Sequence, residues 1–171
     1  MRIILILVLV VPGLFASCSK RVDEGPKELQ IEHRIFDYAG LLSHHEKDSL
    51  FQLIKGLEDR VGSQIAIVII DSLDGQSIER YSIKMAETLR LGRAKFDDGI
   101  LITVVLRDRR MRIEVGMGLE KIIKDEIAGR INREEMAPSF RRGKYATGLG
   151  NAIQKISELI EQNKELVGER P

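Results

Sequence analysis

Residues 97–118, DDGILITVVLRDRRMRIEVGMG, leave room for few folds. Residues 100–106 form an apolar run rich in Ile and Val, as expected of a strand covered on both faces. The polar stretch Arg107-Asp108-Arg109-Arg110 has hairpin length. Beyond it Met111, Ile113 and Val115 alternate with Arg112 and Glu114, the period of a strand with one apolar face. The spacing predicts a central strand followed by an antiparallel edge strand. The two open ends of such a hairpin lie together, which sets Asp97-Asp98-Gly99 beside Gly116-Met117-Gly118.

The flanks supply the other layers. Residues 33–40 read as a short, partly extended lead-in. Ser43 with Glu46 fits a capping box, and Leu50, Leu53, Ile54, Leu57 and Val61 stripe the helix behind it, which Gly62 ends. Residues 64–70 are a second covered strand. Ser77 caps a helix striped by Ile78, Tyr81, Met85 and Leu89 and closed by Gly92. Strand, helix, strand makes a βαβ unit, with parallel strands and a right-handed crossover. Residues 119–136 are expected as one helix, with Leu119, Ile123, Ile127 and Ile131 inward and Pro138 as its stop. Residues 140–150, with three glycines, read as an irregular turn region before a last helix whose apolar side is Leu149, Ile153, Ile156 and Ile160. The fold class is α/β, a three-layer α/β/α sandwich around a small mixed sheet.

A chain of 171 residues suits one domain with a sizeable core. Lys+Arg number 27 against 26 Asp+Glu, so the basic footprint of a nucleic-acid binder is missing. Arg2 and the apolar residues 3–11 read as a targeting signal, too short to span a bilayer. Leu14-Phe15-Ala16-Ser17-Cys18 resembles a bacterial lipoprotein leader, with Phe15 where the usual lipobox has Leu. Residues 1–17 would be removed, Cys18 lipidated, residues 18–30 left as a flexible tether, and residues 31–165 form the domain. A plain secretory signal cut near Ser17 is the alternative. Cys18 is the sole cysteine, so no intrachain disulfide is available.

Asp97 and Asp98 beside a helix start offer the carboxylates of a Ca²⁺ or Mg²⁺ site, with glycine-exposed carbonyls nearby. A polar loop that merely precedes a strand reads the same way. Glu120 and Asp125 fall on that rim, whereas Asp37 and Asp71 fall on the opposite one as a possible second acidic site. Gly116 and Gly118 follow a strand and open a helix, but Lys121 stands where a dinucleotide turn has its third glycine. An amide turn for an oxyanion, or a simple glycine turn, remains. Arg141-Arg142-Gly143-Lys144 can receive a phosphate or be a surface charge run. His44 and His45 point apart on a helix, and Asp71–Gly75 lacks the acidic third position of a calcium loop. No nucleophile–base–acid set or Walker motif stands out, so spacing alone shows no enzyme.

Taken in order, Phe36-Asp37-Tyr38-Ala39-Gly40-Leu41-Leu42-Ser43, Gly62-Ser63-Gln64-Ile65-Ala66-Ile67-Val68, Asp97-Asp98-Gly99-Ile100-Leu101 and Arg112-Ile113-Glu114-Val115-Gly116-Met117-Gly118-Leu119-Glu120 resemble the TPM domain family. Pro138-Ser139-Phe140-Arg141-Arg142-Gly143-Lys144-Tyr145 and Gly148 continue the match, which spans residues 35–160. The resemblance implies an α/β/α sandwich facing the lumen, periplasm or cell exterior. It also implies divalent cations held by acidic residues, here Asp97, Asp98, Glu120, Asp125 and Asp37, and a phosphatase label. Plant and cyanobacterial relatives are associated with photosystem II repair. The transmembrane helix and glycine-rich tail of many bacterial members have no counterpart in this sequence; the Cys18 lipid would replace that anchor. The expectation is a lipid-anchored, periplasm-facing, monomeric domain of the bacterial envelope that binds Ca²⁺ or Mg²⁺ and has weak phosphatase activity. The alternative is a non-catalytic accessory module for a membrane protein complex, its cation structural only.

Overall fold

The computed structural model describes residues 34–169. The leader, Cys18 and the tether lie outside the described residues. Four strands form one sheet in the order β1 (Ile35–Asp37), β2 (Gln64–Ile70), β3 (Gly99–Val105) and β4 (Arg110–Val115). The first three run parallel and β4 is antiparallel to β3, with Ile102 opposite Ile113. β2 and β3 lie where their apolar runs place them. The short, partly extended lead-in contains a strand that its sequence does not single out: residues 35–37 are a parallel edge strand, Asp37 in register with Ile69. Arg34 precedes it, only 4% exposed and ion-paired with Glu58 of the first helix.

Alternation along the strands sends their side chains to two unequal cores. Ile65, Ile67, Ile69, Ile100, Ile102, Val104 and Ile113 face the larger one. Against them pack Leu50, Ile54 and Leu57 of α1 (His44–Val61), Ala128 and Ile131 of α3 (Asp125–Ile131), and Ile153, Ile156 and Ile160 of α5 (Tyr145–Gln162). Ala66, Val68 and Leu101 face the other way, onto Tyr81 and Met85 of α2 (Ile78–Thr88). The sandwich is therefore three layers, and among the described residues α2 is the one helix on the second side.

This layering has a topological consequence. β1 to β2 and β2 to β3 step across the sheet in the same direction, yet α1 and α2 lie on opposite faces. The two crossovers must then differ in hand, and one departs from the strong right-handed preference.

Local signals set the helix ends. Ser43 and Glu46 make the reciprocal capping box, Gly62 closes α1 at φ +83°, and Ser77 caps α2. α2 stops at Thr88, earlier than Gly92. That glycine, at φ +89°, instead lets the loop cross the start of β3, where a Cβ would come within 2.4 Å of the Gly99 amide nitrogen.

Residues 119–136 are not one helix. A 3₁₀ turn (Met117–Leu119), α3 and a π segment (Asn132–Met136) follow one another, and α4 (Ala137–Phe140) continues from the last. Pro138 lies within α4 rather than stopping the helix. A prolyl ring collides with the carbonyl four residues back in an α-helix, and the wider π turn just before Pro138 relieves that crowding. Gly148 and Gly150 likewise belong to α5, not to an irregular region. A Cβ at Gly148 would sit 2.8 Å from Phe140, so this glycine is where α5 presses on α4.

Candidate functional site

The amino rim of β3 is built as its hairpin requires. Gly116 N–H donates to the Gly99 carbonyl at 2.8 Å and Gly118 N–H to the Asp97 carbonyl at 3.0 Å. Asp97-Asp98 and the Gly116–Gly118 turn are thus adjacent. Both glycines serve close approach of backbone to backbone: a Cβ at Gly116 would fall 2.3 Å from the Asp97 oxygen, and one at Gly118 only 1.7 Å from the Phe96 oxygen. Their amides being used within the hairpin, neither is left for an oxyanion.

Asp98 is fully buried. Its Oδ1 accepts from the Arg93 amide at 2.7 Å, and its Oδ2 from Arg93 Nε at 2.9 Å, Arg93 Nη2 at 2.5 Å and Ser63 Oγ at 3.2 Å. The Arg93 guanidinium also lies over the Phe96 ring, 4.1 Å from its centroid. Asp98 therefore locks the loop of residues 93–98 to the start of β2. Asp97 beside it is left-handed at φ +52° and half-buried. Glu120 is exposed after the 3₁₀ turn. Asp125 opens α3, where its charge suits the helix amino end, and lines a groove with Arg112 and Asn132 along β4.

As a four-carboxylate cation site this set does not fit. Asp98 has its oxygens filled by a guanidinium, a backbone amide and a hydroxyl. A divalent ion there would have to displace Arg93 and meet its charge. Among the described residues no three Asp, Glu, His or Cys side chains converge as ligands.

The carboxyl rim holds the other acidic pair, and each member has its own partner. Asp71 bonds Arg107 at 2.7 Å on the surface. The Asp37 side chain is fully buried; it accepts from the Leu41 and Leu42 amides at 3.0 and 2.9 Å and lies 3.1 Å from Lys47 Nζ. Burial alone would raise its pKa. The Leu42 and Leu41 amides and Lys47 together outweigh burial and hold the carboxyl below its ordinary value. With the folded-state pKa depressed, this stabilisation is complete above the unfolded pKa and is lost as pH falls through the folded one. Asp37→Asn should thus lower the urea midpoint near neutral pH and cost progressively less in acid. A loss independent of pH would contradict the assignment.

A cleft of about 620 Å³ opens on the same rim, between the hairpin end and the segment leading into α5. Arg109, Arg110 and Arg141 line it with Leu106, Met111, Phe140 and Tyr145. The Phe140 and Tyr145 rings are 5.0 Å apart between centroids. Arg109, held at φ +50° in the turn, and Arg141 make no side-chain ion pair or hydrogen bond among the described residues. Among those residues no carboxylate or imidazole lines the cleft. The sequence pattern marks Arg141 as a phosphate receiver, but Arg109 and Arg110 only as part of a hairpin turn. The shared signal is two basic runs flanking elements that meet at one sheet end.

The TPM domain family model matches residues 35–159. The N-terminal domain of a protein from P. gingivalis, solved by NMR, is 29% identical. It superposes with a TM-score of 0.73 over 81% of this chain and 88% of its own. BA42 from the psychrophilic bacterium Bizionia argentinensis is 17% identical, with a TM-score of 0.63 over 71% of this chain and 82% of its own. The N-terminal domain of the cg2496 protein of Corynebacterium glutamicum is 15% identical, with a TM-score of 0.61 over 79% of this chain and 83% of its own. These last two show likeness of fold alone. The comparison with curated proteins gives no match.

Proposed function

The chain belongs to the TPM domain family, and from that premise we propose that it is a non-catalytic binding module that receives an anionic group in the cleft at the carboxyl rim. The observation that carries this reading is the lining itself: Arg109 and Arg141, with Arg110 whose guanidinium lies 3.5 Å from Glu79, two aromatic rings, and no carboxylate among the described lining residues. Guanidinium groups donate charge-assisted, geometrically defined bonds to carboxylate or phosphate oxygens. A hydrolase cleft would also need a base, and none stands there among the described residues. In this reading lipid on Cys18 holds the domain to the bacterial envelope, facing the periplasm, and the anion belongs to a membrane protein complex.

A divalent cation keeps a narrower part. With Asp98 committed to Arg93 and Asp125 in the groove along β4, Asp97 and Glu120 are the two expected ligands left on the amino rim, and Ca²⁺ or Mg²⁺ bound there would stay largely hydrated and stiffen the rim. Inorganic phosphate titrated into labelled protein should shift amides of residues 106–111 and 137–145. Arg109→Ala with Arg141→Ala should weaken that binding by about tenfold or more. Shifts spread evenly over the chain would remove the anion site. Phosphomonoester turnover abolished by Asp97→Asn would replace the module with the metal-dependent phosphatase reading.

A further inference from the structure

β4 is an open edge whose backbone and charges are complementary to themselves. The bond from Gly116 N–H to the Gly99 carbonyl fixes the ladder's phase. Gly116, Glu114, Arg112 and Arg110 turn their backbone groups toward β3, so Met111, Ile113 and Val115 turn theirs outward. None of these outward N–H or C=O groups meets a partner among the described residues. Beside the edge runs a groove of about 540 Å³, floored by Met111 and Ile113 and walled by Ala128, Gly129 and Asn132. Asn132 Oδ1, shut off from solvent, has no hydrogen-bond partner among the described residues. Gly129 leaves that wall low; a Cβ there would meet only the Arg133 side chain at 3.2 Å.

We propose that this edge pairs antiparallel with β4 of a second copy of the chain, centred on Ile113. About that centre Met111 lies opposite Val115 of the second copy and Ile113 opposite Ile113, so every outward N–H and C=O of the three residues gains a partner. The same register sets Arg112 opposite Glu114 of the second copy, twice over, on the face away from the larger core. Arg112 and Glu114 already pair within one strand, Nε to Oε2 at 2.6 Å, and are largely buried at 29% and 19% side-chain exposure. Dimerisation would join two such pairs into a four-charge ring. Moving the centre by one residue either way puts Arg112 against Arg112 or Glu114 against Glu114, and like charges directly opposite are unfavourable. The charges that guard the edge against chance strands thus admit one register of one partner. This edge adjoins the anion cleft, with which it shares Met111, but its pairing does not rest on that cleft, and it departs from the monomer that the sequence suggests.

The test is sedimentation equilibrium on the full chain, with Arg112→Glu and Glu114→Arg measured singly and mixed. Wild type should self-associate, and each single variant, now facing like charges, should do so about tenfold more weakly or less. An equimolar mixture of the two should recover association, because a strand positive at both positions 112 and 114 then faces one negative at both. Far-ultraviolet circular dichroism confirms that each variant is folded. Wild type sedimenting as a monomer at every concentration, single variants that associate like wild type, or a folded mixture that stays monomeric would each overturn the proposal.

Discussion

Asp98→Ala should destabilise the domain by about 3 kcal/mol, at the lower end of what breaking a buried ion pair costs. The lower end applies because Arg93 keeps 36% side-chain exposure and regains water once its partner is gone, whereas Asp98 has none. The loss has several parts. The Arg93 amide and Ser63 hydroxyl lose their acceptor, and the guanidinium loses the carboxylate that holds it over Phe96. The turn of residues 93–98, in which Asp97 N–H reaches the Arg93 carbonyl at 2.7 Å, then has less to fix it against β2. Asp98→Asn should fall between wild type and the alanine variant, because an amide keeps one acceptor but turns an N–H toward Arg93. With a urea dependence of about 1–3 kcal/mol per molar, the alanine variant's midpoint should drop by about 1–3 M at unchanged slope. A ligand role for Asp98 predicts another pattern, in which the loss shows only with Ca²⁺ or Mg²⁺ present. A midpoint unmoved without cation would defeat the structural assignment.

How legible this fold is depends on how local each cause is. β2 and β3 announce themselves because strands covered on both faces must be apolar at every position, and β4 because one covered face imposes a period of two. Ser43, Glu46, Gly62 and Ser77 act within four residues of themselves and are equally plain. β1 is not, since three residues carry too little pattern and only the register with Ile67–Ile69 defines it. Leu119, Ile123, Ile127 and Ile131 recur every four residues, which suits a continuous helix. What breaks it is Lys124, extended at ψ 163°, and the π turn before Pro138. Helix-weakening Gly148 stays in α5 because Phe140 occupies the space its side chain would take, a contact between elements that no local rule contains.

The candidate site divides the same way. Adjacency of Asp97-Asp98 to Gly116–Gly118 follows from hairpin geometry and is readable. Their chemistry is not, because an Asp-Asp pair looks the same whether its oxygens face water, a metal or a guanidinium. Arg93, only five residues before Asp98, is the available clue. The cleft on the far rim needs more. Its arginines come from residues 109–110 and 141, and only the meeting of the hairpin end with the segment before α5 makes them neighbours.

Gly118→Ala should cost about 3 kcal/mol, the upper part of the usual overpacking range. Gly118 lies in the 3₁₀ turn Met117–Leu119 with no left-handed φ, so alanine suffers no intrinsic backbone strain there. The cost is steric: the new methyl carbon would be 1.7 Å from the Phe96 carbonyl oxygen and 3.1 Å from the Gly168 Cα. The first of these is backbone, so no side-chain rotation relieves it. Either the 3₁₀ turn lifts away from residues 96–97, losing the 3.0 Å bond from Gly118 N–H to the Asp97 carbonyl, or the loop carrying Asp98 moves and loosens its grip on Arg93. Both routes disturb the bond from Gly168 N–H to the Gly118 carbonyl, 2.8 Å long, by which the end of the described chain is fastened to this rim. Gly150→Ala is the matched control. It lies inside α5, and its added methyl meets only Leu53 and Leu50 at 3.7 and 3.8 Å, ordinary contact. Helix propensity should make it about 0.5–1 kcal/mol more stable than wild type. Thermal melts of the two variants should therefore move in opposite directions. Equal melting points would mean that the approach of Phe96 to Gly118 is not what holds the amino rim together.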